Sequence, residues 1–179
     1  MTALSLFELR ILDSFQIIYN PLFDIIAKML NTASANGEIF ILLSLLLLLY
    51  KPTRKAGIVC ITALVLDFII LNGCIKPLVG RIRPYDLNQA VKIIVKAPHD
   101  FSFPSGHTGI AFAFAAGVSV LGKKAHTAAL WLACIMGLSR LYLYVHYPTD
   151  VLAGAIVGTC CGMISLFFWK NKLEHDIIK

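Results

Sequence analysis

Charge is scarce in this chain of 179 residues, and the sequence contains no stretch typical of a linker or a low-complexity region. Only 15% of the residues are charged, whereas 58% are hydrophobic, and the mean hydropathy is +0.78. A soluble domain of this length has too small a core to bury so much apolar surface. Composition therefore excludes a soluble protein and predicts a single compact domain, residues 1–179, embedded in a membrane.

Paired cysteine motifs are also missing. All five cysteines lie within apolar runs, and none of them forms a C-x-x-C pair: Cys60, Cys74, Cys134, Cys160 and Cys161. We expect them to pack as small apolar side chains rather than to form disulfides or to bind a metal. The first residues lack a basic stretch followed by an apolar run and a small-residue cleavage site, so no removable signal peptide is predicted.

Apolar runs that approach the roughly 20 residues needed to cross a bilayer recur along the chain. Their periodicity is helical, and no alternating strand pattern competes with it, so the sequence predicts an all-α, polytopic transmembrane helical bundle. We predict five core spans within residues 37–170, at residues 37–50, 56–78, 105–121, 126–145 and 149–169.

The N-terminal segment, residues 1–36, is amphipathic and is interrupted at Asn20-Pro21. Two interpretations of residues 5–33 stay open. They form either two helices in the membrane interface, or one short sixth span preceded by an interfacial helix.

Basic residues in short loops mark the cytoplasmic side of a membrane protein. If the five spans alternate, three basic clusters share one face: Lys51, Arg54 and Lys55; Lys123 and Lys124; Lys170 and Lys172. The opposite face then receives the loop at residues 79–104 and the turn near residue 146. Those two connections are expected on the extracytoplasmic side.

Three polar clusters interrupt the apolar background, each at the extracytoplasmic end of a span. They are Lys76 with Arg83-Pro84, the segment Pro104-Ser105-Gly106-His107, and Ser139-Arg140 with His146 and Asp150. Burying Lys76, Arg83 and Arg140 together would be strongly repulsive without an anion between them. Arginine forks and a lysine point charge both suit phosphate. The start of the third span adds the N–H groups of Ser105, Gly106 and His107, so the clusters predict a phosphate-binding pocket.

The histidines supply reactivity in such a pocket. Asp150 lies four residues after His146 and is expected to orient its ring, which leaves the other ring nitrogen free to attack phosphorus. His107 is expected to protonate the departing oxygen. Three fixed cations and a helix terminus would neutralise the developing charge, so the sequence predicts no metal and no other cofactor.

These clusters resemble the KxxxxxxRP, PSGH and SRxxxxxHxxxD motifs of the type 2 phosphatidic acid phosphatase superfamily, with every motif position present in order from Lys76 to Asp150. The resemblance implies a helical bundle and a phosphohistidine intermediate on His146, with Asp150 as its partner and His107 as the general acid. It implies that five residues bind the substrate phosphate: Lys76, Arg83, Ser105, Gly106 and Arg140. It also implies a membrane lipid phosphatase, and the small size favours a bacterial plasma-membrane enzyme.

Undecaprenyl diphosphate is the favoured substrate; phosphatidylglycerophosphate, phosphatidate and a lipid A 1-phosphate are the alternatives. The expected partners are the bilayer and this lipid phosphate, without nucleic acid. Two other functions stay open: a transporter or binding protein for phosphate-bearing lipids that does not hydrolyse them, and a phosphotransferase with an acceptor other than water.

Some residues fall outside these motifs. Arg81 is expected to extend its side chain to the headgroups. Asp67 lies within a span, where an interhelical hydrogen bond or protonation is expected. The glycines Gly154, Gly158 and Gly162 recur every fourth residue and predict a close helix contact inside the bundle. Two interpretations of the tyrosines near the extracytoplasmic boundary, Tyr142, Tyr144 and Tyr147, stay open: they rim the substrate entrance, or they form an interfacial belt.

Overall fold

A computed structural model describes residues 3–35 and 37–175, with side chains described for residues 4–35 and 37–169. Throughout this part of the chain the regular structure is helical, which confirms the predicted all-α class. The α-helices are α1 (Ala3–Gln16), α2 (Pro21–Ala33), α3 (Glu38–Leu49), α4 (Arg54–Phe68), α5 (Lys76–Val79), α6 (Pro84–Leu87), α7 (Gly106–Val118), α8 (Lys123–Tyr142) and α9 (Pro148–His175).

The five predicted spans correspond to α3, to α4 together with α5, and to α7, α8 and α9. Fewer of them are both long and apolar enough to cross a membrane. Among the described residues, two helical stretches are long and apolar enough to cross a membrane by themselves: Lys51–Leu87 and Pro148–Trp169. Counting α2 and α3 together as one bent span makes three. The chain is therefore a membrane protein, and its span number stays a prediction.

Asn20 and Pro21 divide the N-terminal segment into two helices. The side chain of Asn20 accepts a hydrogen bond from the Leu22 N–H at 2.8 Å, and Pro21 occupies the first turn of α2. An Asn cap followed by proline is a strong signal for a helix start. Leu9 and Leu12 of α1 pack against Tyr144 and the segment that joins α8 to α9.

Helix α7 lies at the centre of the bundle because its small residues let other helices approach. Nine of its residues are buried, and five of these are alanine or glycine in the run from Ala111 to Gly117. A methyl group added at Gly154, Gly158 or Gly162 of α9 would overlap atoms of the α7 segment. The predicted close contact inside the bundle is thus confirmed.

The three tyrosines near the boundary are buried, so both interpretations of them are wrong. Tyr142, Tyr144 and Tyr147 are each 8% exposed or less. The hydroxyl of Tyr142 donates to Asp24 of α2 at 2.5 Å, and that of Tyr144 donates to Asp13 of α1 at 2.7 Å. Tyr142 and Tyr144 therefore link the two N-terminal helices to the end of α8 and to the segment that follows it.

The five cysteines are free, with Cys60 and Cys161 buried and Cys74, Cys134 and Cys160 exposed at the surface of the bundle.

Helix direction determines where the polar clusters meet. Helix α5 ends, α7 begins, α8 ends and α9 begins within the same region, so the loop at residues 80–105 and the segment at residues 143–147 lie together. This region holds the candidate site.

Candidate active site

A cavity of about 530 Å³ lies where these helix ends converge. Six of the eight predicted site residues line it: Lys76, Arg83, Gly106, His107, Arg140 and His146. The other two, Ser105 and Asp150, are fully buried next to lining residues. Side chains from all three polar clusters therefore meet at one place, although up to 70 positions separate them in the sequence.

A π-helix positions Lys76. The predicted span at residues 56–78 is α-helical only to Phe68, after which Ile69–Ile75 form a π-helix. Pro77 removes a backbone donor and would clash with the carbonyl four residues earlier in a regular α-helix, which accounts for the wider turn. In a π-helix residues five apart share a face, so Asp67 and Asn72 both line the cavity with Lys76.

Arg83 is held by backbone carbonyls on two sides. Gly80, with φ +58°, ends α5, and Arg83 then precedes Pro84 at the start of α6. Its Nη1 donates to the carbonyl of Val145 at 2.7 Å, and its Nε donates to the carbonyl of Asp100 at 2.9 Å. Because Arg83 is only 3% exposed and its guanidinium donates to these fixed acceptors, the backbone sets its orientation in the cavity.

Asp100 bridges the two cations nearest the cavity mouth. Its carboxylate accepts a hydrogen bond from Lys76 Nζ and another from Arg83 Nη2, the latter at 2.6 Å. Partial burial alone would raise the pKa of the Asp100 carboxyl, but the hydrogen bonds and charges of Lys76 and Arg83 outweigh it and lower the pKa to about 2. Sequence reasoning missed Asp100, because a lone acid in a long loop matches no motif.

We predict that Asp100→Asn tightens the binding of inorganic phosphate about fivefold. The half-exposed carboxylate competes with any anion for Lys76 and Arg83, and each such partly exposed pair is worth roughly 0.2–1 kcal/mol. Isothermal titration calorimetry on the detergent-purified chain measures the change. Asp86→Asn, on the same loop but outside the cavity, is the matched control. Unchanged or weaker binding in Asp100→Asn would show that Asp100 supports the cations rather than competing for them.

Arg140 reaches the cavity from the last turn of α8 and is oriented by α2. Its Nη1 donates to the Asn31 side-chain oxygen at 2.8 Å, and its Nε and Nη2 donate to Ser139 Oγ. The residue is 1% exposed. The N-terminal helices, in which the sequence showed no usable motif, therefore contribute to the site.

The two ring nitrogens of His146 have different surroundings. Nε2 lies 3.4 Å from Arg83 Nη1, whereas Nδ1 lies 3.5 Å from Asp150 Oδ2, without the geometry of a hydrogen bond. Burial lowers the pKa of His146 to about 4, because the opposing attraction of Asp150 is only a partial offset and Arg83 lowers it further. The imidazole is thus neutral at physiological pH.

The carboxylate of Asp150 is fixed from several sides. Oδ2 accepts hydrogen bonds from Ser102 Oγ at 2.5 Å and from the Tyr147 N–H at 2.9 Å. Oδ1 accepts one from Arg81 Nη1 at 2.5 Å. A carboxylate held in this way can orient a neighbouring imidazole and stabilise its cationic form.

The N-terminus of α7 presents His107 to the cavity. His107 Nε2 is buried without a hydrogen-bond partner among the described residues. The backbone N–H of Ser105 donates to the Asp150 carbonyl at 3.0 Å, so this amide joins two helices instead of facing the cavity. Of the three predicted N–H donors, those of Gly106 and His107 remain for an anion. Any part of Ser105 in phosphate binding then falls to its hydroxyl.

Arg81 does not extend to the headgroups, and that prediction was wrong. Its guanidinium donates to Asp150 and, from Nη2, to Glu8 of α1 at 2.5 Å. It also lies over the ring of Tyr147, 3.7 Å from the centroid. The signal for this contact was the acidic Glu8 in the amphipathic N-terminal segment, which has no defined spacing to Arg81.

Asp67 is 2% exposed and lines the inner part of the cavity. Its Oδ1 has no hydrogen-bond partner among the residues that the structure describes, so the expected interhelical hydrogen bond is not observed for that atom. Both oxygens lie close to Gly109 of α7, where a methyl group would meet them at 2.8 and 3.0 Å.

Within the described residues, no group of three or more His, Cys, Asp or Glu side chains is arranged to hold a metal ion.

The family model described as PAP2 superfamily matches residues 55–174. An undecaprenyl-diphosphatase of Sulfolobus acidocaldarius is 30% identical over 133 residues, which cover 72% of this chain and 62% of that protein. The undecaprenyl-diphosphatase BcrC of Bacillus subtilis is 29% identical over 164 residues, which cover 89% of this chain and 81% of that protein.

The crystal structure of Aquifex aeolicus LpxE has a similar fold. It superposes with a TM-score of 0.79 at 28% sequence identity, and the alignment covers 88% of this chain and 93% of that chain. The helical architecture therefore extends over nearly the whole of both proteins.

Proposed function

The chain belongs to the PAP2 superfamily, and from that premise we propose that it is a membrane lipid phosphatase acting through a phosphohistidine on His146. The observation that carries the proposal is the single cavity lined by Lys76, Arg83, His107, Arg140 and His146. Three cations around two imidazoles suit a phosphate ester better than any other common substrate group.

The cations bind and orient the phosphate in this proposal. Lys76, Arg83 and Arg140 are each 7% exposed or less, so bulk water screens their charges weakly. The N–H groups of Gly106 and His107 at the start of α7 add donors on the side of the helix dipole that favours an anion. Charge that develops on the equatorial oxygens in the transition state is then stabilised by donors already in place.

His146 is the proposed nucleophile. Its Nε2 faces the cavity beside Arg83, while Nδ1 faces Asp150. Nε2 forms a bond to phosphorus as the bond from phosphorus to the leaving oxygen breaks, and the ring becomes cationic. Asp150 stabilises that charge.

His107 moves the protons in both steps. As the general acid it donates a proton to the leaving oxygen, which departs as the lipid alcohol or lipid monophosphate. As the general base it then takes a proton from the attacking water while the N–P bond breaks. Inorganic phosphate leaves, and both histidines return to their initial states.

The proposed site faces the extracytoplasmic side. Lys51, Arg54 and Lys55 lie at the start of the α4 segment, and Lys76 lies at its far end. Lys51, Arg54 and Lys55 are exposed, as are Lys123 and Lys124 in the first turn of α8. Because basic short loops favour the cytoplasm, the cavity lies at the opposite end of the bundle.

Undecaprenyl diphosphate is the proposed substrate, supported by the names of the Sulfolobus and Bacillus relatives. The test is phosphate release from a panel of four lipids by the detergent-purified chain: undecaprenyl diphosphate, phosphatidylglycerophosphate, phosphatidate and lipid A 1-phosphate. We expect the first to give the highest kcat/KM. Preference for another member would change the substrate but keep the reaction class.

The same assay separates the alternatives. A transporter or binding protein would bind these lipids without releasing phosphate, and a phosphotransferase would form product only in the presence of an added acceptor. Three fixed cations supply the charge stabilisation that a metal gives elsewhere, so we propose a metal-independent reaction. Activity that is lost with chelator and restored by a divalent cation would contradict it.

A further inference from the structure

Glu8 is an acidic residue buried far from water, at 1% exposure, in a helix outside the residues that match the family model. Its Oε1 accepts hydrogen bonds from the N–H of Thr149 at 3.0 Å and from the Thr149 hydroxyl at 2.5 Å. Its Oε2 accepts one from Arg81. The Glu8 carboxylate therefore links α1 to the first turn of α9, which carries Asp150.

Arg81 lies between two buried carboxylates. One terminal nitrogen donates to Asp150 and the other to Glu8, each at 2.5 Å. Nη1 also donates to Thr149 Oγ1 at 2.7 Å. None of Glu8, Arg81 and Asp150 lines the cavity, and the side chain of this cluster that reaches His146 is that of Asp150.

The charges of the cluster explain why all three members are needed. A pair of Asp150 with Arg81 alone would have no net charge and would stabilise a cationic imidazole poorly. Glu8 adds a second negative charge, which leaves a net charge of −1 beside His146. Removing one partner of a buried ion pair leaves an uncompensated charge, so each single substitution has a distinct electrostatic effect.

We propose that Glu8 and Arg81 are positioning residues: Arg81 fixes Asp150 against His146, and Glu8 balances the guanidinium so that a net negative charge faces the imidazole. This inference rests on the proposed function for the catalytic role of His146. The α1 helix is then part of the catalytic apparatus rather than only a membrane anchor.

Other charged and titratable groups also face His146. Arg83 and Asp150 are nearest, and the other charged or titratable groups that line the cavity are Asp67, Lys76, Lys96, His99, Asp100, His107 and Arg140. They remain unchanged in the variants below, so differences between variants report Glu8 and Arg81.

The test is an NMR titration of the His146 ring in the detergent-purified, 13C-histidine-labelled full chain. The His146 signal is assigned by its loss in His146→Gln. Arg81→Gln leaves two carboxylates uncompensated and is expected to raise the pKa of His146 by about one unit, since a nearby uncompensated charge in a buried site shifts a pKa by at least that much. Glu8→Gln is expected to lower it by about half a unit or more.

The double variant Glu8→Gln with Arg81→Gln gives the sharpest result. It restores the net charge of −1, so the pKa of His146 is expected to return close to that of the wild type. Arg81→Lys keeps the charge but loses the two-sided fork, so it is expected to keep the pKa and to lower kcat about 10- to 100-fold through misplacement, with little change in KM. Arg54→Gln, at the other end of the bundle, is the matched control for loss of an arginine.

Shifts in the same direction for both single variants, or a double variant whose pKa shift is as large as that of Arg81→Gln, would overturn the inference. If Arg81→Gln does not fold, Glu8→Gln and Arg81→Lys still decide it. The NMR titration does not require catalytic turnover, so a failure of the inference can be distinguished from a failure of the proposed function. If the variants shift the pKa of His146 as expected but the wild type releases no phosphate, only the proposed function is refuted. If the wild type is active but the variants do not shift the pKa in this way, only the inference is refuted.

Discussion

His146→Gln is expected to lower kcat for lipid phosphate hydrolysis by about 10⁴-fold or more, because it removes the proposed nucleophile. Glutamine is close in size to histidine and is uncharged, like the buried imidazole, so the variant is expected to fold. The phosphate-binding cations are untouched, and the affinity for inorganic phosphate should change by no more than about threefold. Initial rates of phosphate release and calorimetric titration measure the two quantities.

The matched control is His99→Gln. His99 lines the same cavity but is exposed on the loop, so its loss is expected to change kcat only a few-fold. Substantial turnover by His146→Gln would remove the proposed mechanism. An equal loss in both variants would show that the assay reports disturbance of the cavity rather than loss of a nucleophile.

His107→Asn is expected to lower kcat for lipid substrates about 10²- to 10⁴-fold, because an alkoxide leaves poorly without a proton from a general acid. A substrate with a good leaving group needs no such proton. With p-nitrophenyl phosphate, the variant is therefore expected to release one equivalent of p-nitrophenol per enzyme in a rapid burst. Turnover should then be slow, since water lacks its general base.

Stopped-flow absorbance measures the burst, and His126→Asn is the control. His126 lies at the other end of the bundle, in the first turn of α8, where its Nδ1 is 2.9 Å from the Ala115 carbonyl oxygen. It should behave as the wild type does. If His107→Asn slows the first turnover of p-nitrophenyl phosphate as much as lipid hydrolysis, His107 does not act as a general acid.

The sequence predicted the helical class and approximate helix positions because apolar length and proline or glycine punctuation are local signals. The break at Asn20-Pro21 and the glycine repeat of α9 are examples in which a short pattern specifies a structure. The π-helix at Ile69–Ile75 was missed. Its cause is a clash between Pro77 and the preceding turn, which the backbone resolves by widening instead of ending the helix.

The residues that line the cavity could be predicted from their type, because buried cations require an anion. The residues that hold the lining residues in place could not be predicted. Glu8, Arg81 and Asp100 act through partners up to 141 positions away, and a pattern in one sequence does not encode such pairs. The boundary tyrosines were misinterpreted for a related reason. The hydroxyls of Tyr144 and Tyr142 bind Asp13 and Asp24, so partners supplied by the N-terminal helices hold these two side chains inside the protein.

One measurement tests the central claim most directly: mass spectrometry of the His107→Asn variant after the burst with p-nitrophenyl phosphate, quenched in alkali to preserve phosphohistidine. The account predicts a single phosphoryl group on His146, in an amount equal to the burst. It is contradicted if the burst leaves no phosphorylated residue, or if the phosphoryl group is found on any other side chain.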